Sequence, residues 1–538
     1  MPAAPTLTDP HLLMAEDGPR TPVLSEPCPA PTLRPDELGP TGPAPSFLWD
    51  DGADPNDLAL QRWGVVLPEG PGAAPALAAL EPLLRLRASE QDGVRPLVYH
   101  VPPITQLSEA VRWRRRSFEA SATLADLPRY LLIVGDLHEV SEAVQAALAV
   151  DAFVGRLPWT DPTRLAAYAQ RLVAHQGPLG DQAPALHLHA VDDGTSATRH
   201  AEQVLIEPLH RRLRDDPSLD AALLHHLTGA PLSHASLRDW LATDGPAVTL
   251  TAAHGLGPPR AGWSNPAAQR ERQGALCLGP DHPPLLGADL TTGPVWPGGV
   301  WFHLGCYSAG VPTHSAYAHW LDRAATDDWR LAATAASARH GLALPGTPPF
   351  VCALASEALA NPQGPLAYVG HVDLAWSFSY ASEDGARTSH LEPYADFFRS
   401  LSRGDRVGVA ARRARRTLPF VEAQLGAWLD EQARGEPGPS PRELGMLWLL
   451  RNDLAAYLTL GDPAVRVRAP RKLQAPASTP RPSGGVPPLE QQLASVLAGA
   501  VSESEAANKL GMPVARFSEL YAVWRRAGRK VLGERGVL

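Results

Sequence analysis

The sequence predicts an α/β protein built on a mainly parallel sheet, with a small helical module at its C-terminal end. Three observations lead there. Short apolar runs of strand type alternate with longer segments of helical period, the pattern of βαβ units. Proline, at 56 of 538 residues, is about twice its usual share of roughly 5%, and it clusters at two places that bracket one long body. A 44% hydrophobic content supplies that body with a core.

The first cluster is the tail, residues 1–45, a Pro/Ala/Thr segment without hydrophobic period that cannot offset its own ordering entropy. The apolar runs follow: Tyr130–Val134, Ala185–Val191, Ala247–Ala253, Gly299–Leu304 and Pro365–Val369. Between them, Thr195–Leu209 and Val351–Ala360 have helical spacing, and the second ends at the turn signal Asn361-Pro362-Gln363-Gly364. The body divides into an N-terminal α/β part over 46–180 and a second α/β part over 181–468. Residues 469–488, with six prolines, read as a linker. In the module 489–538, two short helices joined at Leu510-Gly511 resemble a helix-turn-helix.

The net charge of −9 argues against a generic binder of polyanions. Seven basic against five acidic residues over 489–538 is weak footing for nucleic acid, so a partner-binding or regulatory role for the module is expected instead. Four cysteines, Cys28, Cys277, Cys306 and Cys352, show no CxxC spacing and make no disulfide framework. Met1–Pro10 lacks the pattern of a signal peptide, and no apolar stretch approaches the 18 or so residues that cross a bilayer. A cytoplasmic protein without membrane contact is expected.

In open α/β sheets chemistry collects at the carboxyl ends of the strands. The run ending at Ala253 delivers His254-Gly255. The run ending at Leu304 delivers Gly305-Cys306-Tyr307-Ser308-Ala309-Gly310, and the run 365–369 delivers Gly370-His371-Val372-Asp373, then Trp376. Singly, a cysteine or histidine there is an ordinary core residue. If the two strands are parallel neighbours, however, they present an imidazole and a thiol at one solvent-reachable rim. A thiol that attacks a carbonyl needs such a proton-handling partner. The flanking glycines allow tight turns and bare N–H groups for an oxyanion.

Other candidates read as structural. Asp136 ties down a turn, and Asp462 before Pro463 is a turn former. Arg412, Arg413, Arg415 and Arg416 form a basic cluster read as solvated helix surface, with a docking patch as the alternative. His187/His189 and His225/His226 lack accompanying ligands, so no metal and no cofactor is expected. Ser308 is not a serine-hydrolase elbow, because Cys306 stands where the first glycine of Gly-x-Ser-x-Gly belongs. The loop Leu278–Pro297 reads equally as a substrate-side loop or a connector.

Leu250-Thr-Ala-Ala-His254-Gly-Leu-Gly257, Gln273-Gly-Ala-Leu276 and Phe302-His-Leu-Gly-Cys306-Tyr-Ser-Ala-Gly310 resemble the bacterial caspase-like peptidases of the CHAT and gingipain-like group. The 52-residue separation of His254 and Cys306 is close to the roughly 50 of caspase-type proteases. Tyr130–Asp136, Phe153–Pro158, Ala367–Trp376 and Tyr457–Ala464 add to the resemblance, which spans about residues 50–470. It implies a caspase-like three-layer sandwich and a cysteine endopeptidase with Cys306 as nucleophile and His254 as general acid/base. The amides of Gly255 and Cys306 would form the oxyanion hole, and no third residue is nominated to orient the histidine. The group commonly cuts after a charged residue. Asp373 and Trp376 are the candidates for that pocket, with Asp281 and Asp289 as weaker alternatives. A protein substrate, an activating partner acting through 489–538 and a place in bacterial defence or cell death complete the implication. The alternative is a non-enzymatic scaffold or regulator with the same fold, working through its C-terminal module.

Overall fold

The computed structural model describes residues 54–121, 127–175, 184–227, 234–242, 245–259, 261–279, 282–318, 335–336, 338–381 and 390–467, with 496, 502–510, 512, 514 and 517–518 beyond them. The tail 1–45, the linker 469–488 and Asp281 lie outside the described residues. The chain forms two compact units, Met1–Leu473 and Gln474–Leu538. In the second, Glu503–Lys509 is helical, opened by a capping box in which Ser502 and Glu505 satisfy each other's amides. Of the expected second helix, only 512, 514 and 517–518 are among the described residues.

The first unit is organised by one sheet of ten strands. These are β1 (Trp63–Pro68), β2 (Leu97–Val101), β3 (Tyr130–Val134), β4 (Phe153–Leu157), β5 (Ala185–Ala190), β6 (Leu224–Leu227), β7 (Ala247–Ala252), β8 (Val300–Leu304), β11 (Ala367–His371) and β12 (Tyr457–Gly461). A separate ribbon pairs β9 (Gly310–Val311) with β10 (Phe350–Val351). The order across the sheet is β2-β1-β3-β4-β12-β11-β8-β7-β5-β6. β1–β2, β1–β3, β3–β4, β5–β6, β5–β7, β7–β8 and β8–β11 are parallel, while β12 runs antiparallel to β11. β12 therefore joins the 46–180 part to the rest in one continuous sheet.

Alternation along the strands gives the sheet two apolar faces. Val65, Leu67, Leu132 and Val134 join one core with Leu83 and Leu84 of the helix Glu81–Glu90 and Leu165 and Leu172 of the helix Pro162–His175. Val66, Leu131 and Ile133 turn the other way, toward Trp113 and Val144. In β8 the same alternation sends Trp301 to Trp296 and Tyr368, at 4.7 and 5.1 Å, and Phe302 to Phe397, at 5.3 Å. Helices thus cover both faces, the α/β arrangement the sequence predicts.

Strand boundaries moved where tertiary pairing overrode local signals. The apolar run read as 365–369 is a strand over 367–371, because Gly370 and His371 pair with Leu458 and Tyr457 of β12. Gly370 is there for space: a Cβ would lie 2.7 Å from the Tyr368 ring and 2.9 Å from Ser308 Oγ. The segment read as a helix from Thr195 is Ser196–Ala201, a π-turn over Glu202–Ile206 and then Glu207–Arg214. The loop 278–297 packs inward with Leu285, Leu290, Val295 and Trp296 buried, and Asp289 accepts the Leu286 amide at 2.8 Å.

The two structural aspartates behave as read. Asp136 accepts the amides of Leu137 and Val351, both at 2.7 Å, and so ties the exit of β3 to β10. Asp462 accepts Trp63 Nε1 at 3.0 Å and Arg87 Nη2 at 2.8 Å, with neither charge exposed. Breaking such a buried pair from one side leaves an uncompensated charge. Asp462→Ala should therefore cost about 3–5 kcal/mol in urea unfolding, whereas Glu81→Ala, which removes the exposed partner of Arg85, should change stability by under about 1 kcal/mol. Equal effects of the two substitutions would show that Asp462 is not the tie described.

Candidate active site

Register decides the geometry of the carboxyl edge. Ala252 of β7 is paired with Leu304 of β8, and the Ala253 amide donates to the Leu304 carbonyl at 3.1 Å. Two residues further on, at equivalent positions of adjacent strands roughly 4.8 Å apart, stand His254 and Cys306. The expected parallel neighbours are present. The chains approach so closely that a Cβ at Gly255 would lie 1.7 Å from the Cys306 carbonyl oxygen, so only glycine fits. The Gly255 amide itself donates to no acceptor among the described residues.

β11 brings the third segment to the same edge. The Tyr307 amide donates to the Asp373 carbonyl at 2.7 Å. Both residues occupy the left-handed region, with φ of 57° and 78°, a conformation costing a non-glycine residue roughly 1–2 kcal/mol. Such outliers persist where surrounding bonds over-determine them. Asp453, from the helix Pro441–Ala455, supplies several of those bonds. Its carboxylate accepts the amides of Trp376 and Ser379, at 2.9 and 2.8 Å, and lies 3.2 Å from His371 Nε2.

β5 adds a component that the sequence reading did not nominate. Beyond Ala190 the chain reaches Asp193 and then Thr195, the N-cap of the helix Ser196–Ala201. Thr195 Oγ1 is 3.0 Å from His254 Nε2, and Asp193 Oδ2 is 3.4 Å from the same nitrogen. Asp193 Oδ1 accepts the Thr195 amide at 3.0 Å and the Thr198 hydroxyl at 2.7 Å. Burial works against the Asp193 charge, but His254 and the Thr195 and Thr198 donors outweigh it and hold its pKa below the usual carboxylate range. Nε2 is thus engaged by an acidic partner. The available signal was Asp-Asp-Gly-Thr after a strand, which is also ordinary helix-cap chemistry.

The expected open rim is not what the fold presents: His254 and Cys306 are each 0% exposed. Cys306 Sγ accepts the Ala375 amide at 3.2 Å and lies 3.7 Å from the Ala375 carbonyl oxygen, a contact that suits S–H better than a thiolate. The strand ends are covered because the turn after β11 folds back over them, held by Asp453. The pocket candidates are interior as well. Trp376 is fully buried, with Tyr317 and Phe378 at 5.5 and 6.0 Å. Asp373 Oδ2 accepts the Ala316 amide at 2.9 Å. His187 and His189 pack on Trp240, at 5.6 and 5.5 Å, and burial pushes both down to about 4.

No family model matches the chain, and no curated protein matches it. Among solved structures, one described as "Structure of Protease" is 16% identical, with a TM-score of 0.43, over 76% of this chain and 78% of that one. The Arg-specific cysteine proteinase gingipain R is 11% identical, with a TM-score of 0.39, over 76% of this chain and 79% of that one. Both are distant likenesses, and the chemistry of the site stands on its own residues.

Burial raises the Asp373 carboxyl to about 6, against the lowering effect of the Ser315 hydroxyl and the Leu374 and Ala316 amides. A carboxyl whose folded pKa exceeds its unfolded value binds more protons in the folded state. Its charge therefore erodes stability as pH rises from about 4 to 6. Asp373→Asn should remove up to about 3 kcal/mol of that decline in urea titrations at successive pH values. Superimposable wild-type and variant profiles would contradict this environment.

Proposed function

We propose that this chain is a cysteine endopeptidase, with Cys306 as nucleophile and His254 as general acid/base. One observation carries the reading: parallel register sets His254 and Cys306 at equivalent positions beyond β7 and β8, with Asp193 and Thr195 at the ring nitrogen Nε2. With Nε2 so engaged, Nδ1 is the nitrogen that takes the thiol proton. Sulfur then adds to the substrate carbonyl carbon, and the oxyanion is held by the amides of Gly255 and Cys306. Each such donor is worth about 2.7–4 kcal/mol to the barrier. The imidazolium returns the proton to the leaving amine as the C–N bond breaks, leaving a thioester. Water, losing a proton to His254, releases the acid and restores the thiol.

Asp373 and Trp376 serve in this proposal as carboxylate and aromatic wall for an arginine or lysine before the cut. At neutral pH a carboxyl with a pKa of about 6 is mostly ionised, which suits a cation. Access requires the 374–376 turn and the segment around Ala316 to move, and a protein partner engaging 489–538 is the proposed trigger. The burial of both dyad side chains is the observation that favours the second reading, a scaffold or regulator that performs no hydrolysis.

A positional-scanning fluorogenic peptide library on the full chain separates the two. Expected are cleavage after arginine or lysine, its loss in Cys306→Ala and His254→Ala, and a kcat about tenfold to a hundredfold lower in Asp193→Asn at little change in KM. Hydrolysis that survives Cys306→Ala would sink the peptidase reading. So would a cellular role that tolerates Cys306→Ala but is abolished by deletion of 489–538.

A further inference from the structure

The basic cluster on the helix Val407–Ala414 and the turn after it is not simply solvated surface. Arg412, Arg413, Arg415 and Arg416 meet Arg129 around a cleft of about 530 Å³ beside the starts of β3 and β4. This is the amino edge of those strands. Five guanidinium groups line the cleft and no carboxylate does, among the described residues, in a chain of net charge −9. Its remaining wall is largely apolar and includes Phe153, Val154, Leu418 and Val150, the last 69% exposed.

The local charges are only partly compensated. Arg412 donates to the Asp151 carbonyl oxygen at 3.3 Å, while the Asp151 carboxylate is taken by Arg114 at 2.7 Å. A carbonyl supplies hydrogen bonds but no countercharge. Arg413 and Arg416 do have acidic partners, Asp405 at 3.4 Å and Asp396, neither of which lines the cleft. Arg415 donates to the Tyr457 carbonyl at 3.1 Å, and its buried Nε has no partner among the described residues. Burial lowers its pKa to about 10 despite Glu422, the mark of a cation short of counter-charge. The Arg412 guanidinium is also positioned, 5.6 Å over the Phe153 ring.

We propose that this cleft binds a small organic anion carrying two or more phosphate groups. Its phosphates meet the arginines, whose planar donors match phosphate oxygens two at a time. Its organic part rests on the apolar wall. The volume falls in the range of small-molecule sites, roughly 300–1,000 Å³, and the basic surface is a closed cluster without the extended stripe a nucleic acid strand requires. The inference does not depend on the peptidase reading.

Isothermal titration of the full chain with ATP, at constant ionic strength, tests it. Expected is one saturable site that pyrophosphate competes for and equimolar sulfate does not. The double variant Arg412→Gln, Arg416→Gln should weaken binding at least about tenfold, with its melting curve measured alongside. Should that variant fail to fold, Val150→Trp, which adds bulk at an exposed lining position, should weaken binding likewise. Absence of saturable binding, displacement by sulfate at equal concentration, or unchanged affinity in a folded variant would each overturn the proposal. Because the readout is binding alone, it is unaffected by whether peptides are cleaved.

Discussion

The constraint on which the rest of this structure depends is the close parallel approach of the ends of β7 and β8. Backbone hydrogen bonds hold Ala252 against Leu304, and the absence of a side chain at Gly255 lets the chains stay together two residues further on. That contact makes His254 and Cys306 neighbours although 52 residues separate them. It also sets the level at which the turns after β5 and β11 arrive, because both strands are in register with the same pair. Moving this register by one residue would turn every side chain on the strand to the other face.

Around that contact the fold uses each polar group more than once. Thr195 caps a helix and also touches the imidazole, so the start of that helix and the orientation of His254 are a single problem. Asp453 closes the turn after β11 and approaches His371, which ties the Ala375 contact on Cys306 to the end of a distant helix. The left-handed residues Tyr307 and Asp373 are joined by a backbone hydrogen bond and share the cost of the tight crossing. The result is an edge that is rigidly specified and closed. Access to it depends on how firmly the 374–379 turn is held.

The amino edge is organised on a different principle. Arg412 and Arg415 donate to backbone carbonyls, and among the described residues no carboxylate lines the cleft they share. Where hydrogen bonds without countercharge hold cations together, an anion gains from both. The molecule thus carries a buried imidazole and thiol beyond β7 and β8, and an arginine-lined cleft beside the starts of β3 and β4.

The alternation of apolar runs, the glycines beside His254 and Cys306 and the turn chemistry of Asp136 and Asp462 were all legible in the chain, because each is a local pattern with a local physical cause. β1, β2 and the true end of β11 were not, since pairing across the sheet settled them against weak or contrary local signals. Asp193 and Asp453 escaped for another reason: an aspartate before a helix is ordinary capping, and nothing in sequence spacing says that one carboxylate will face an imidazole and another a turn 74–77 residues away. The sequence by itself determined the fold class and which thiol and imidazole could meet. Only the tertiary structure decided that they are buried when they meet, which acid stands behind the ring, and that five arginines share one cleft, because burial and convergence depend on how distant segments pack.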